Sequence, residues 1–136
     1  MKLAMIGSRE YKNESKIRRY LELCQERYGD ALTVVSGGCP DGADFLARKV
    51  ALELGIHYVE FPPKHRPWNQ YCILSVSEYN QPYHVSNFFA RNTQIAEYCE
   101  YLAAFTVAGK PCRGTMDTFR KAEKLGKKCF KYEDNL

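Results

Sequence analysis

The sequence predicts an α/β domain: a doubly wound, mainly parallel five-stranded sheet with helices on both faces. Two observations carry this. Short apolar, β-branched runs alternate with amphipathic helical stretches along the chain, and turns of glycine and other small residues close several of the runs. Alternation of this kind implies parallel strands, because parallel neighbours need a long crossover and a helix is the usual one. The 136 residues, 45% of them hydrophobic, are enough for one core, and residues 1–136 are read as a single domain.

The first strand is the run Leu3 to Ile6. Glu14 to Tyr28 then places Ile17, Tyr20, Leu21 and Cys24 at helical spacing. Ala31 to Val35 reads as a second strand ending at Ser36-Gly37-Gly38. Gly42 to Leu54 follows as a helix with Ala43, Leu46, Ala47, Val50 and Leu54 on one stripe and Gly55 as its stop. His57 to Phe61 is a third strand, cut off by Pro62-Pro63, and residues 62–85 show no clean period, which makes them a long loop or insertion. Ser86 to Cys99 returns to helical spacing. Tyr101 to Phe105 is a fourth strand, Thr115 to Leu125 a helix, and Lys128 to Tyr132 the last strand. In a Rossmann-like sheet of this kind ligands sit beyond the carboxyl ends of the strands, where the winding reverses.

Composition narrows the function classes. A formal charge of +4, from 20 basic and 16 acidic residues, suits an anionic ligand and falls short of a polybasic nucleic-acid binder. The six cysteines include no CxxC pair, so they are read as free thiols in a reducing cytosol, and the protein as cytoplasmic. The apolar start is too short for a signal segment and no run approaches membrane-spanning length, so no membrane partner is expected. His57, His65 and His84 share no ligand spacing, and neither a metal nor a cofactor is expected.

The candidate site lies at the strand ends: Gly7-Ser8-Arg9, Ser36-Gly37-Gly38, and the stretch from Gly109 to Gly114-Thr115. Neither GxGxxG nor GxxxxGK[ST] occurs, but the physics under those motifs remains. Turns without β-carbons let backbone N–H groups approach an anion, and a helix N-terminus offers free donors with a favourable dipole. Thr115 either caps the last helix or offers its hydroxyl to phosphate. Asp41 reads as the N-cap of the second helix, while Asp44 either caps that helix or faces the cleft to accept from a ribose or from Arg9. Arg91, behind the apolar Phe88-Phe89-Ala90, is expected to be buried against a partner. Asp117 is either a general acid or base or one more carboxylate favoured at a helix start.

These residues in this order, Gly7-Ser8-Arg9, Ser36-Gly37-Gly38 with Asp41-Gly42-Ala43-Asp44, Arg91-Asn92, and Gly114-Thr115 ahead of a helix, resemble the SLOG superfamily, which includes the DprA and Lonely-guy proteins, and in particular its small single-domain YspA/YpsA-related branch. The resemblance implies a Rossmann-like fold that binds nucleotides or nucleotide-derived molecules. It also implies several possible activities. By position Arg91 is similar to the arginine, and Asp117 to the glutamate, with which Lonely-guy enzymes hydrolyse the N-glycosidic bond of a nucleoside 5′-monophosphate. Asn92 stands where those enzymes have lysine.

The leading expectation is a sensor or sequestering protein for a nucleotide-derived small molecule such as a nucleoside monophosphate or an ADP-ribose-like signal, held by Gly7, Ser8, Arg9, Ser36, Gly37, Gly38, Asp44, Arg91, Asn92, Gly114 and Thr115. The first alternative is a phosphoribohydrolase using Asp117 and Arg91, with an oxocarbenium-like transition state. The second is single-stranded nucleic-acid binding, motivated by the charge and by the aromatic segments Lys64 to Tyr71 and Tyr79 to His84. Those segments equally suit base stacking, packing over the sheet edge, or the interface of a homo-oligomer, which is the expected assembly.

Overall fold

The computed structural model describes residues 1–135. Its elements run β1 (Lys2–Gly7), α1 (Glu14–Tyr28), β2 (Thr33–Ser36), α2 (Gly42–Glu53), β3 (His57–Glu60), α3 (Ser86–Tyr98), β4 (Tyr101–Val107), α4 (Arg113–Lys124) and β5 (Lys128–Asp134). The sheet order is β3-β2-β1-β4-β5 and every pairing is parallel. The chain therefore winds outward from β1 through β2 to β3, then returns to lay β4 on the other side of β1, and the reversal falls between β1 and β4.

Alternation along the strands sorts the core into two layers. Leu3, Met5, Val34, Ala103 and Phe105 face α1 and α2, where they meet Ile17, Leu21, Ala47 and Val50. Ala4, Ile6, Val35, Leu102 and Ala104 face α3 and α4 and meet Ile95, Ala96 and Ala122. Both sheet faces are thus covered, as an all-parallel sheet requires.

Two predicted boundaries shift, each for a local reason. β2 starts at Thr33 rather than Ala31, because Gly29–Ala31 forms a single 3₁₀ turn whose Gly29 carbonyl accepts from Leu32 N–H at 3.2 Å. α4 starts at Arg113 rather than Thr115: Cys112 is the extended capping residue and its carbonyl accepts from Met116 N–H at 3.1 Å. Thr115 is accordingly the third helical residue, not the cap. Asp41 does occupy the capping position of α2, though its side chain makes no capping hydrogen bond.

The segment 62–85 is tied to β3 at its middle and stitched across its two arms. Residues Tyr71 to Ile73 run beside the end of β3, with Glu60 N–H donating to the Tyr71 carbonyl at 2.9 Å and Ile73 N–H to the Glu60 carbonyl at 3.2 Å. Its two arms are stitched by Asn80 N–H to the Arg66 carbonyl at 2.8 Å and Gln81 N–H to the Lys64 carbonyl at 3.0 Å. Beneath it the Glu60 carboxylate is fully buried, accepting from Tyr58 Oη at 2.8 Å and Asn69 Nδ2 at 2.7 Å. No helix of the described residues is long and apolar enough to cross a membrane.

Candidate functional site

A cleft of about 440 Å³ opens at the carboxyl ends of β1 and β4, at the reversal point, and is lined by Gly7, Ser8, Arg9, Gly37, Asp44, Arg91, Asn92, Gly114 and Thr115 among others. Its size falls within the roughly 300–1,000 Å³ typical of small-molecule sites. Of the residues singled out from sequence, Ser36, Gly38 and Asp117 do not line it.

The three turns prove unequal once their donors are accounted for. At the end of β1, Ser8 N–H is spent on the Phe105 carbonyl at 2.9 Å, and Ser8 Oγ accepts from Glu10 N–H at 3.1 Å. The Ser8 carbonyl in turn accepts from Ala43 N–H at 3.1 Å, drawing the start of α2 against the β1 turn. Gly42 makes that approach possible: its φ is +70°, and a β-carbon there would lie 2.5 Å from Arg9 Cα.

After β2, the turn's donors are already taken by the protein's own side chains. Cys39 N–H donates to Asp44 Oδ2 at 3.2 Å, and Gly38 N–H to Ser36 Oγ at 3.3 Å. Gly38 faces the buried Glu60 carboxylate, 2.7 Å from where its β-carbon would sit. Ser36 Oγ completes an internal chain by meeting Tyr58 Oη at 2.5 Å. Ser36 and Gly38 therefore shape this wall from behind.

The third turn differs. Arg113, Gly114 and Thr115 form the first turn of α4, whose leading N–H groups have no helical acceptor. Their dipole end points into the cleft, and nothing lies within 4 Å of the position a Gly114 β-carbon would take. Thr115 Oγ1 sits 2.8 Å from Cys112 Sγ.

Arg91 crosses from α3 to the β2 turn. Its Nη1 donates to the Gly37 carbonyl at 2.6 Å and its Nε to Asn92 Oδ1 at 3.0 Å. Asn92 Nδ2 in turn donates to Asp117 Oδ2 at 3.1 Å and reaches the Gly114 carbonyl at 3.4 Å, so α3, α4 and β2 are linked through one side-chain chain. Burial pushes the Asp44 carboxyl up, opposed first by the Arg91 guanidinium and then by the Cys39 N–H. Burial likewise pushes Arg91 down, offset by Asp44, with Arg66 and Arg9 close enough to add repulsion. Arg9 and Arg113, by contrast, are exposed, and among the described residues neither has an ion-pair partner.

Asp117 lines a neighbouring depression with Arg120, Lys131 and Glu133, and its carboxylate is held by Lys121 Nζ at 2.9 Å. Helical geometry contributes to this: residues two apart point roughly 200° apart around the axis, so with Thr115 lining the cleft Asp117 does not line it, though it accepts from the cleft residue Asn92 at 3.1 Å. The structure also brings in residues the sequence reading did not select, namely Glu10, Cys39, Cys112, Arg113, Val85, Phe88 and Phe89. Val85, Phe88 and Phe89 carried a legible signal in their i, i+3, i+4 spacing. Among the described residues no group of three or more His, Cys, Asp or Glu is placed to hold a metal ion.

A family model described as the YspA, cpYpsA-related SLOG family matches residues 1–68, half of the 136-residue chain. The chain belongs to this SLOG family. No curated protein and no solved structure matches it. The SLOG match spans β1 to β3 with their connecting helices, and so includes the Gly7, Gly37 and Asp44 walls of the cleft. The α3 and α4 contributions, Arg91 and Gly114 among them, lie outside the matched span.

Proposed function

We propose that this SLOG-family chain binds a nucleotide or nucleotide-derived small molecule, with a phosphate seated at the N-terminus of α4, and acts as a sensor or sequestering protein. One observation carries the reading. Free N–H groups of the first turn of α4 open into the reversal-point cleft beside Arg9 and Arg113, two guanidiniums without a carboxylate partner among the described residues. Family membership supports the same ligand class. Arg91 and Asp44 form the opposite wall, and Asn92 holds Arg91 in place.

Binding without turnover is favoured over N-glycosidic hydrolysis because the one carboxylate chosen for that chemistry, Asp117, is held by Lys121 and Asn92 and is not among the residues that line the cleft. A polynucleotide is disfavoured because the loop aromatics do not form one stacking track: Tyr71 packs on Tyr58, while Tyr83 packs on Phe88.

The test is calorimetry with AMP and ADP-ribose on the wild type and Gly114→Asp. The new carboxylate has room and suits a helix start, so the variant folds, yet it occupies the phosphate seat. Binding by the wild type and its loss in the variant is the expected outcome. Equal affinity in both proteins, or none in the wild type, refutes the proposal. Adenine release from AMP would restore the hydrolytic reading.

A further inference from the structure

The inner stripe of α3 does two jobs along its length. In its last turns Ile95, Ala96 and Cys99 are buried on the sheet. One turn earlier Arg91 and Asn92 furnish the polar wall of the cleft. The stripe continues to Phe88, Phe89 and Val85, which line the cleft and belong to neither buried core cluster. Val85 and Phe89 are left 54% and 50% exposed, although both line the same cavity as the phosphate seat.

This apolar wall is held in place from outside. The Phe88 ring is packed edge-on by His65 at 5.0 Å and by Tyr83 at 6.2 Å, and the Arg91 guanidinium lies 5.9 Å from its centroid. His65 and Tyr83 come from the two stitched arms of the 62–85 segment and pack on each other at 4.8 Å. They buttress the wall without lining the cleft. Burial, with Arg66 and Arg91 adding, pushes the His65 imidazole down.

One cavity thus has two kinds of lining: guanidiniums and helix N–H groups, and the apolar side chains of Val85, Phe88 and Phe89, with Phe88 beside the Arg91 guanidinium. We infer that the start of α3, with Val85, Phe88 and Phe89 lining the cleft, is the subsite for the heterocyclic base of the ligand, so that the site selects base-bearing nucleotides over sugar phosphates. The inference rests on the phosphate seat proposed above, and the occupant follows from continuity with that seat. A planar ring joined to a phosphate through a ribose offers π-faces to aromatic and aliphatic side chains while its anion stays at α4.

Titration calorimetry of the full chain with AMP, UMP and ribose 5-phosphate tests it, alongside the variant Val85→Ser/Phe89→Ser, which alters only half-exposed side chains. Stacking of a base predicts that AMP or UMP binds at least about tenfold tighter than ribose 5-phosphate, and that the ratio falls to within about threefold in the variant. Ribose 5-phosphate binding as tightly as both nucleotides overturns the base subsite and leaves the phosphate seat standing. An unchanged ratio in the variant overturns it equally, and a simultaneous drop in the variant's oligomeric mass on size exclusion would assign the wall to a second copy of the chain. If none of the three ligands binds the wild type, the phosphate seat itself is refuted and the base subsite with it.

Discussion

Arg91 Nη1 donates to the Gly37 carbonyl at 2.6 Å, a bond that spans from α3 to the end of β2 and closes one side of the cleft. The contact depends on the missing side chain: a β-carbon on Gly37 would run into the guanidinium and come within 2.9 Å of Asp44 Oδ2. Because the guanidinium is the far end of a flexible side chain, Gly37→Ala is expected to fold while displacing Arg91. The measurable result is a loss of AMP affinity of about tenfold or more, equivalent to ~1.4 kcal/mol, with a smaller change in thermal midpoint.

Gly42 is the contrasting case. A β-carbon there meets backbone of Ser8 and Arg9 at a φ of +70°, and backbone cannot rotate aside. Gly42→Ala is expected to cost about 3 kcal/mol of folding stability, read from urea denaturation. A loss below about 1 kcal/mol would mean that the β1 turn yields more easily than its packing suggests.

Asp44 provides a pH test with a definite sign. Its carboxyl is raised, chiefly by burial. The folded state therefore keeps the proton longer than the unfolded chain, and stability falls as pH rises from the ordinary carboxylate range, about pH 4, toward the raised value. Denaturation curves between about pH 4 and 7 should show the wild type losing stability relative to Asp44→Asn. The opposite trend would show that Arg91 outweighs burial.

Asp134 runs the other way. Lys16 Nζ at 2.5 Å, Asn13 Nδ2 at 2.8 Å and Tyr11 Oη at 3.2 Å all donate to it, clamping the end of β5 to the start of α1. Those hydrogen bonds, Lys16 first, hold its carboxyl below the usual range. The stabilisation is present above the unfolded carboxylate value and is lost as pH falls through the lowered one. Asp134→Asn should cost about 1 kcal/mol at pH 7 by chemical denaturation, with the gap to the wild type closing toward about pH 3.

Asn69 is the pin of the long segment, since its Nδ2 satisfies the fully buried Glu60 carboxylate at 2.7 Å. Asn69→Ala leaves that oxygen short of a donor, at a cost of about 1–3 kcal/mol. Limited proteolysis should then cut within residues 62–85 faster than in the wild type. An unaltered cutting rate would place the anchoring of this segment elsewhere, in the Tyr71 to Ile73 pairing with β3.

Much of the fold was legible because its signals are local. Helical stripes such as Ile17 to Cys24 and strand runs such as Leu3 to Ile6 are set by side-chain period, and α1 falls on its predicted bounds, Glu14–Tyr28. The 62–85 segment shows no period because its order comes from stitching between distant arms and from Asn69 reaching Glu60. Residue type also pointed to the strand ends as the site, but not to which donors remain free there. Ser8 N–H is taken by Phe105, a partner nearly a hundred residues away in sequence, and the β2 turn turns its Cys39 N–H to Asp44.

The sequence by itself determined the alternating α/β order, the glycine-marked strand ends and the anion-seeking start of the last helix, because each follows from backbone sterics and side-chain period over a few residues. Tertiary structure alone decided the rest: that β1 and β4 lie side by side at the reversal, that Arg91 spans to Gly37, that the start of α3 lines the cleft, and that Asp117 is held by Lys121 and Asn92 outside the cleft lining. Those depend on how whole helices dock on the sheet, and a rotation of about 100° per helical residue places neighbours such as Thr115 and Asp117 on opposite sides of a wall.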